Sequence, residues 1–194
     1  MSTPYLEITF GPMFSGKTTN LIHKIHTYLD ICSSKGKKKK GVVINYSKDN
    51  REISKCGNLT THSSSKKEFN SEIKTIDTSH LNHIDLYTLQ DFDYISIDEA
   101  QFYSDLKQFV VKLLEMKKHV HVSGLVADSE KNKFGNIIDL IPMADHVEQL
   151  KAYCVKCEDH YQNAPFTKCT KVKDNQVMIG ANDSYQPVCG LHYR

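Results

Sequence analysis

Short apolar runs recur along the first two thirds of the chain, each rich in β-branched residues and bounded by glycine, aspartate or serine. They predict buried strands at residues 5–10, 42–46, 94–97 and 120–122. Longer segments between these runs place apolar residues at helical spacing, and they predict helices at 18–29, 81–89 and 106–116. Because strands alternate with helices, the pattern predicts an α/β fold built on a parallel sheet.

Polar segments interrupt this pattern, and the pattern itself changes near the C-terminus. The lysine-rich segment 35–40 has no apolar face and no interleaved aromatic residue, so we interpret it as a solvated loop rather than a basic binding patch. The polar stretch 50–70 predicts a long loop or an irregular hairpin. After about Leu150 the helical periodicity stops and cysteine pairs begin, which predicts one domain over 1–150 and a small second domain over 151–194.

The composition of the 194 residues is that of a globular protein, with 39% hydrophobic, 9% aromatic and 25% charged positions. The formal net charge is +2. A nearly balanced charge argues against nucleic acid or a membrane surface as the main partner. No apolar stretch approaches the ~20 residues of a transmembrane helix and no leader pattern is seen, so we expect a cytosolic or nuclear protein and assign it to the cytoplasm.

A phosphate-binding pattern follows the first predicted strand directly. The run Gly11-Pro12-Met13-Phe14-Ser15-Gly16-Lys17-Thr18 matches the P-loop at every fixed position, and a predicted helix comes next. Glycines let backbone N–H groups approach phosphate oxygens, the helix N-terminus adds positive potential, and Lys17 reaches the β- and γ-phosphates. Thr18 is expected to place its hydroxyl on Mg²⁺. The sequence therefore predicts that a nucleoside triphosphate binds here with magnesium.

Two adjacent carboxylates follow another predicted strand. The strand 94–97 delivers Asp98 to its C-terminal end, where a direct or water-mediated magnesium ligand is needed, and Glu99 comes next. In an ATPase such a glutamate orients water, whereas in a kinase it deprotonates a substrate hydroxyl. Spacing alone leaves both roles open.

Two short metal-binding patterns lie in the C-terminal segment. Cys154 and Cys157 form a Cys-x-x-Cys pair, and Cys189 and His192 form a Cys-x-x-His pair. Four such ligands suit tetrahedral zinc with no open position, so the predicted site is structural. The segment 166–187 between the pairs is either a loop held over a ligand or part of a zinc-stapled tail used for assembly, and the spacing favours neither.

The order of these motifs resembles that of the zinc-containing, typically tetrameric thymidine kinases, and the similarity extends over nearly the whole chain. The P-loop at 11–18 and the Asp-Glu-Ala-Gln-Phe run at 98–102 carry its most specific part. Similar residues also fall at 48–51, 134–135, 166–168 and 179–180, and at Tyr185. The resemblance implies a RecA-like P-loop domain with a parallel central sheet and a small C-terminal zinc-ribbon domain whose loop covers the substrate.

The resemblance also implies residue roles in the transfer of phosphate from Mg·ATP to the 5′-hydroxyl of thymidine. Glu99 would be the general base, while Lys17 and Arg51 would stabilise charge in the transition state. The implied ATP and magnesium site comprises, besides the P-loop, Asp49, Asp98 and Gln101.

The nucleoside pocket is implied in the same way. Its side chains would be Phe102, Leu125, Ser129, Phe134, Thr167 and Tyr185. The loop between the zinc pairs would bond to the pyrimidine edge through the main chain of Gln176, Val177, Met178, Ile179 and Gly180. Ser129 stands where relatives often carry an aromatic residue, so deoxyuridine is expected to compete well with thymidine. Met178 stands where smaller apolar residues are frequent, which is expected to reshape the pocket.

The sequence therefore predicts a kinase of nucleotide salvage that converts thymidine into thymidine monophosphate. The family implies a homotetramer and feedback inhibition by dTTP. Two other classes stay open: a RecA-like ATPase or nucleic-acid-binding module that uses the zinc domain and segment 35–40, and a P-loop kinase for another small hydroxyl compound. The product formed from ATP distinguishes the three.

Overall fold

The computed structural model describes residues 3–47, 58–60, 66–68, 73–158, 163–170 and 184–194. The N-terminal part contains the strands β1 (Tyr5–Phe10), β2 (Gly41–Tyr46), β3 (Asn58–Thr60), β4 (Lys66–Glu68), β5 (Ile73–Thr78), β6 (Tyr94–Ile97), β7 (His119–Gly124) and β8 (His146–Gln149). Six of them form one sheet in the order β5-β2-β6-β7-β1-β8, and all of its strand pairs are parallel. The short strands β3 and β4 form an antiparallel pair of their own. The predicted parallel α/β fold is confirmed.

Two helices cover opposite faces of the sheet. Helix α1 (Lys17–Ser34) packs Leu21, Ile22, Ile25 and Leu29 on one face. Helix α2 (Leu106–Glu115) buries Leu106, Phe109, Val110 and Leu113 on the other. Successive residues of a strand point to opposite faces of the sheet, so each central strand contributes side chains to the core on both faces. Across the described ranges, none of the helices combines the length and apolar character that a bilayer crossing requires.

The predicted helix over 81–89 is wrong. Two 3₁₀ turns, Leu81–His83 and Leu86–Leu89, occupy this segment. Asp85 between them is extended, and its Oδ1 accepts a hydrogen bond from Tyr87 N at 2.9 Å. This side-chain cap starts a new turn, so one continuous helix does not form. Two further 3₁₀ segments, Ala100–Phe102 and Ile137–Met143, were not predicted from the apolar pattern.

The apolar pattern of the sequence did not predict the two edge strands of the sheet, β5 and β8. Strand β5 includes Lys74 and Asp77, and β8 has Val147 as its one apolar residue. Edge strands have a neighbour on one side only and keep part of their surface in water, so they carry fewer apolar residues than central strands. Strand β8 matters for function because the chain that leaves it contacts the P-loop, as described below.

A polar layer lies between strands β1 and β7 and helix α1. Glu7 on β1 accepts hydrogen bonds from Tyr94 Oη, His119 Nε2 (3.2 Å) and Lys24 Nζ (3.0 Å). Burial alone would raise the pKa of Glu7, but these partners and the nearby His121 hold it well below its usual range. His121 is fully buried, and burial lowers its pKa to about 4. Glu7 is therefore charged and His121 neutral at pH 7.

The lysine-rich segment lies between α1 and β2. Lys35, Lys37 and Lys38 are exposed, as expected for a solvated loop. Lys39 Nζ instead pairs with Asp93 Oδ1 at 2.5 Å.

The C-terminal part is built from short elements. They are strands β9 (Ala152–Tyr153), β10 (Asn163–Ala164), β11 (Phe166–Cys169) and β12 (Tyr185–Val188) and helix α3 (Gly190–Tyr193). Strand β9 pairs with β10 and β11 pairs with β12, both antiparallel. Their buried residues form a separate small core around three cysteines.

Candidate active site and metal centre

The loop between β1 and α1 is tight, and glycine is required at two of its positions. A Cβ added to Gly11 would lie 2.5 Å from the carbonyl oxygen of Leu150, the residue that follows β8. Gly16, directly before α1, has φ +80°, which glycine adopts at little cost. Phe14 is also left-handed, with φ +62°. The loop therefore has the tightly curved backbone of an anion cradle.

The first turn of α1 offers positive groups to this cradle. The first helical hydrogen bond is accepted by Gly16 O, so the amides of residues 17–19 have no acceptor within the helix. Lys17 Nζ reaches across the loop and donates to Pro12 O at 2.7 Å. Burial lowers the pKa of Lys17, and the neighbouring carboxylates oppose that shift. Free amides, a helix N-terminus and a buried cation together fit the phosphates of a nucleotide.

Thr18 and Asp98 join the P-loop helix to strand β6. Thr18 Oγ1 donates to Asp98 Oδ2 at 2.8 Å. Asp98 directly follows the strand, and its amide donates to Ile44 O on β2 at 2.9 Å. Burial and the adjacent Glu99 raise the pKa of Asp98 to about 6, while the Thr18 hydrogen bond lowers it. A hydroxyl and a carboxylate are ligands that Mg²⁺ accepts, so this pair fits magnesium next to the phosphate cradle.

Glu99 has a backbone conformation that side-chain-bearing residues rarely adopt, with φ +50° and ψ 39°. Such a conformation costs on the order of 1 kcal/mol and persists where the surroundings hold it. The Glu99 carboxylate is held by Gln101, whose Nε2 donates to Glu99 Oε2 at 2.5 Å. Gln101 Oε1 in turn accepts from Leu125 N at 2.9 Å, directly after β7. Gln101 thus joins the Glu99 carboxylate to the end of a second strand.

Two glycines pack directly against Gln101. A Cβ at Gly124 would lie 2.3 Å from Gln101 Oε1. One at Gly135, where φ is +64°, would lie 2.3 Å from Gln101 O. The resemblance placed Gln101 in the ATP site, and the sequence did not predict that Gly124 and Gly135 pack against it. Both glycines are visible in the sequence, but their common partner is not.

An aromatic group lies beside this carboxylate segment. The rings of Phe102 and Phe134 meet edge to face with centroids 5.5 Å apart, and Tyr46 stacks on Phe102 at 4.6 Å. Leu125 is linked to this segment because its backbone amide donates a hydrogen bond to Gln101 Oε1. The structure therefore brings together the side chains of Phe102 and Phe134, two of those expected to enclose a nucleoside, and fixes the backbone of Leu125 nearby through Gln101.

The other described members of that expected pocket link the two parts of the chain. Thr167 on β11 accepts a hydrogen bond from the P-loop residue Met13, with Oγ1 and the amide nitrogen 2.9 Å apart. The carbonyl of Ser129 accepts from Tyr193 Oη at 2.8 Å. Tyr185 is the first residue of β12, which pairs with β11.

A cavity opens between the P-loop and the C-terminal part. Its walls include Phe10 at the end of β1, residues 11–12 of the P-loop, residues 126–128 after β7, and Phe166 and Thr167 of β11. The cavity measures only about 40 Å³, so it marks a small cleft beside the phosphate cradle and not a complete substrate pocket.

Seven of the expected site residues lie outside the described residues, and their roles stay predictions. They are Asp49, Arg51, Gln176, Val177, Met178, Ile179 and Gly180.

The four expected metal ligands converge, with all their ligand atoms within 4.8 Å of one another. Nδ1 of His192 lies 3.4, 3.5 and 3.5 Å from the sulfurs of Cys154, Cys157 and Cys189. The sulfurs of Cys157 and Cys189 are 3.8 Å apart. A tetrahedron with zinc–ligand distances of about 2.0–2.3 Å has edges of about 3.5–3.8 Å. The set therefore fits one tetrahedral zinc ion with all four positions filled by protein.

Short elements position each pair of ligands. Strand β9 ends just before Cys154, and a turn brings Cys157 N within 3.4 Å of Cys154 O. Strand β12 ends just before Cys189, and the one-turn helix α3 carries His192. All three cysteines are buried.

Comparison with known proteins agrees with this geometry. A family model described as "Thymidine kinase" matches residues 4–193. The chain is 40% identical over 191 residues to the thymidine kinase of Amsacta moorei entomopoxvirus, which covers 97% of each chain. It is 37% identical over 190 residues to that of Choristoneura biennis entomopoxvirus, with 97% of this chain and 95% of the relative covered. It is 34% identical over 193 residues to that of vaccinia virus strain Ankara, with 100% and 98% covered. The chain therefore belongs to the thymidine kinase family.

Proposed function

We propose that this protein transfers the γ-phosphoryl group of Mg·ATP to the 5′-hydroxyl of thymidine and so forms thymidine monophosphate for nucleotide salvage. The observation that carries the proposal is the bond between Thr18 and Asp98, which holds the P-loop helix against the strand that presents Glu99. Membership of the thymidine kinase family supports the identity of the acceptor. Phosphoryl transfer needs positioning and charge stabilisation more than covalent chemistry by the protein, and these residues supply both.

Each residue of the site has a defined task in this reaction. When bound, ATP and Mg²⁺ supply the phosphoryl group and neutralise part of its charge. The P-loop amides and Lys17 would hold the β- and γ-phosphates, and Thr18 and Asp98 would hold the metal. Glu99 takes the proton of the 5′-hydroxyl while the 5′-oxygen forms its bond to phosphorus. The bond from phosphorus to the β–γ bridging oxygen breaks, and its electron pair stays on ADP.

We assign the nucleoside to the space bounded by Phe102, Leu125, Ser129, Phe134, Thr167 and Tyr185. The contact between the rings of Phe102 and Phe134 supports this placement, and Thr167 also lines the cavity beside the P-loop. The resemblance adds the main chain of residues 176–180 against the pyrimidine edge, Arg51 for transition-state charge and Asp49 near magnesium. Ser129 stands where relatives often carry an aromatic residue, so stacking on the base would be weaker and deoxyuridine would compete with thymidine.

We also propose that residues 1–150 form the ATP-binding domain and 151–194 a zinc-binding domain. Strand β8 closes the sheet at Gln149, and the small core around the cysteines is separate from both layers of the sheet. Because the protein supplies all four ligands, the zinc ion would stabilise this domain without reacting.

The family also supports a homotetramer in the cytoplasm that is subject to feedback inhibition by the triphosphate end product dTTP. Sedimentation velocity measures the assembly state, and thymidine assays at increasing dTTP measure the inhibition.

The deciding experiment uses labelled Mg·ATP with thymidine, deoxyuridine, deoxycytidine or no acceptor. We expect monophosphate with thymidine and a smaller amount with deoxyuridine. Equal ADP in every reaction without any monophosphate would show that Glu99 activates water and that the protein is an ATPase.

The same assay tests the general base. Glu99→Gln is expected to lower kcat by about a hundredfold to ten-thousandfold, because proton transfer is lost, while ATP binding is retained. Glu115→Gln, at the exposed end of α2, is the matched control and is expected to keep full activity. Full turnover in Glu99→Gln would refute the assignment.

A further inference from the structure

A small hairpin over 126–134 follows β7 and ends at Phe134. Ala127 pairs with Lys133 as an antiparallel bridge, and Phe134 N donates to Val126 O at 3.0 Å. At its tip, Asp128 Oδ1 accepts from the amides of Glu130 (2.8 Å) and Asn132 (2.9 Å). The hairpin is therefore ordered by its own hydrogen bonds. It begins directly after Leu125 and ends at Phe134, and the proposed function places both of these residues around the nucleoside.

The tip of this hairpin is bound by the C-terminal helix. Tyr193 Oη donates to the carbonyl oxygen of Ser129 at 2.8 Å, across 64 residues of sequence. Because the acceptor is a backbone oxygen, this bond fixes the path of the chain at position 129 whatever side chain stands there.

A second contact holds the same tip. The ammonium group of Lys131 lies 3.7 Å from the ring centroid of Tyr193 and 4.1 Å from that of Phe166, whose rings are 5.3 Å apart. A cation above aromatic rings at these distances is attracted by their negative faces. Lys131 has φ +68°, so the turn that aims its side chain at the rings carries backbone strain. Tyr193, Lys131 and Phe166 are called the clasp below.

The clasp is anchored on the metal-binding side as well. Tyr193 directly follows the ligand His192, and its amide donates to Cys189 O at 3.0 Å. Lys168 Nζ donates to the carbonyls of His192 (3.2 Å) and Tyr193 (2.9 Å), which caps the short helix. The rings of Phe166 and Tyr193 pack against the core around the cysteines. The position of Tyr193 is thus set by the same residues that form the metal centre.

We propose that the clasp sets nucleoside affinity by fixing the 126–134 hairpin against the C-terminal domain, with Tyr193 as its central positioning residue. The inference rests on the proposed function for the identity of the nucleoside, but not for the contact itself. Two clasp members, Lys131 and Phe166, also line the cavity beside the P-loop. A hairpin released from Tyr193 would open that wall, so nucleoside binding would weaken while phosphate binding would not.

The test uses the full zinc-loaded protein and compares Tyr193→Phe, which keeps the ring and removes the hydroxyl, with the wild type. We expect the KM for thymidine to rise about threefold to tenfold, the effect of one lost hydrogen bond. We expect kcat and the KM for ATP to stay within about twofold, because the bond that is removed joins Tyr193 to the hairpin and not to the P-loop or Glu99. Hydrogen exchange of the 126–134 amides, measured by mass spectrometry, is expected to accelerate, with the zinc content unchanged.

Tyr153→Phe is the matched control, since Tyr153 lies on β9 of the same domain and is 73% exposed. It is expected to behave as the wild type in every measurement. Lys131→Met tests the clasp from the hairpin side and is expected to raise the thymidine KM in the same direction. Unchanged thymidine KM and unchanged exchange in Tyr193→Phe would overturn the proposal, as would an equal rise in the KM for ATP. If the wild type phosphorylates no nucleoside, the proposed function fails, and the exchange measurement alone still decides whether the clasp holds the hairpin.

Discussion

The side-chain amide of Gln101 donates a hydrogen bond to the carboxylate of Glu99. This contact lies within a turn in which Glu99 itself is left-handed, so the carboxylate direction depends on a partner two residues away. Because the other end of the Gln101 amide is fixed by Leu125 N, the pair has little freedom to rotate. Gln101 is therefore a positioning residue for the proposed general base.

Gln101→Met keeps the length of the side chain and removes both hydrogen bonds. We expect kcat to fall about tenfold to a hundredfold, as for the loss of a hydrogen bond to a charged group, with smaller changes in the KM of either substrate. A double-mutant cycle with Glu99→Gln checks the mechanism. If Gln101 acts through Glu99, the double variant is no slower than Glu99→Gln alone; fully multiplicative losses would contradict this role.

Gly135→Ala tests the close packing behind this pair. The new Cβ would lie 2.3 Å from Gln101 O in a left-handed backbone, so we expect unfolding free energy to drop by at least about 3 kcal/mol and kcat to fall. Gly36→Ala is the control, because Gly36 is also left-handed, with φ +71°, but faces open space. It should cost only about 1 kcal/mol and leave kcat intact. Chemical denaturation and steady-state kinetics measure both; equal costs would show that the contact with Gln101 is not limiting.

His121 is expected to make stability depend on pH. Its pKa is lowered from 6.5 to about 4 by burial, so the unfolded chain binds this proton at a higher pH than the folded protein does. Stability from this group is therefore complete above pH 6.5 and is lost as the pH falls toward 4. Between pH 7 and pH 5 the loss is about 2 kcal/mol.

Denaturation of the wild type and of His121→Asn at both pH values measures this term. The variant is expected to lose less stability on acidification than the wild type. Glu7, Lys24, His119 and Glu148 act on His121, and Asp98 shifts in the opposite sense because its pKa is raised to about 6. Asp98 is not among the groups that act on His121, so its contribution cancels in the difference. Glu7 is coupled to His121, but Tyr94, His119 and Lys24 also hold its pKa low, so it stays charged between pH 7 and pH 5 in both proteins. Parallel losses in the two proteins would contradict the assignment to His121.

Removal of the metal centre is expected to affect the thymidine site before the ATP site. Cys189→Ser removes one of the four ligands and should lower zinc affinity by more than about a hundredfold. The core around the cysteines is too small to fold without a cross-link, so loss of zinc should release the clasp. We expect a lower Tm and a raised KM for thymidine with retained ATP binding. His192→Cys is the control, since cysteine binds zinc equally well. A metal-free protein with unchanged thymidine kinetics would contradict the structural role of zinc.

Local sequence was sufficient for the features that depend on neighbouring residues. The P-loop over 11–18, the Asp98–Glu99 pair after a buried strand and the spacing of the two metal-binding pairs are all short-range patterns, because covalent geometry limits where adjacent residues can point. The parallel sheet followed from alternating apolar runs and is confirmed. The helix over 81–89 was wrong since one capping aspartate, Asp85, outweighed an apolar pattern.

Only the tertiary structure decided which distant residues complete these motifs. Leu150 forces glycine at position 11, Leu125 fixes Gln101, and Tyr193 reaches Ser129, and each of these contacts joins segments far apart in sequence. The edge strands β5 and β8 were missed for a related reason, because their pairing is set by a neighbouring strand and leaves a weak apolar pattern. A sequence encodes local conformation through adjacent residues, whereas contacts across the fold depend on how complete elements pack, and a single chain carries no separate record of that packing.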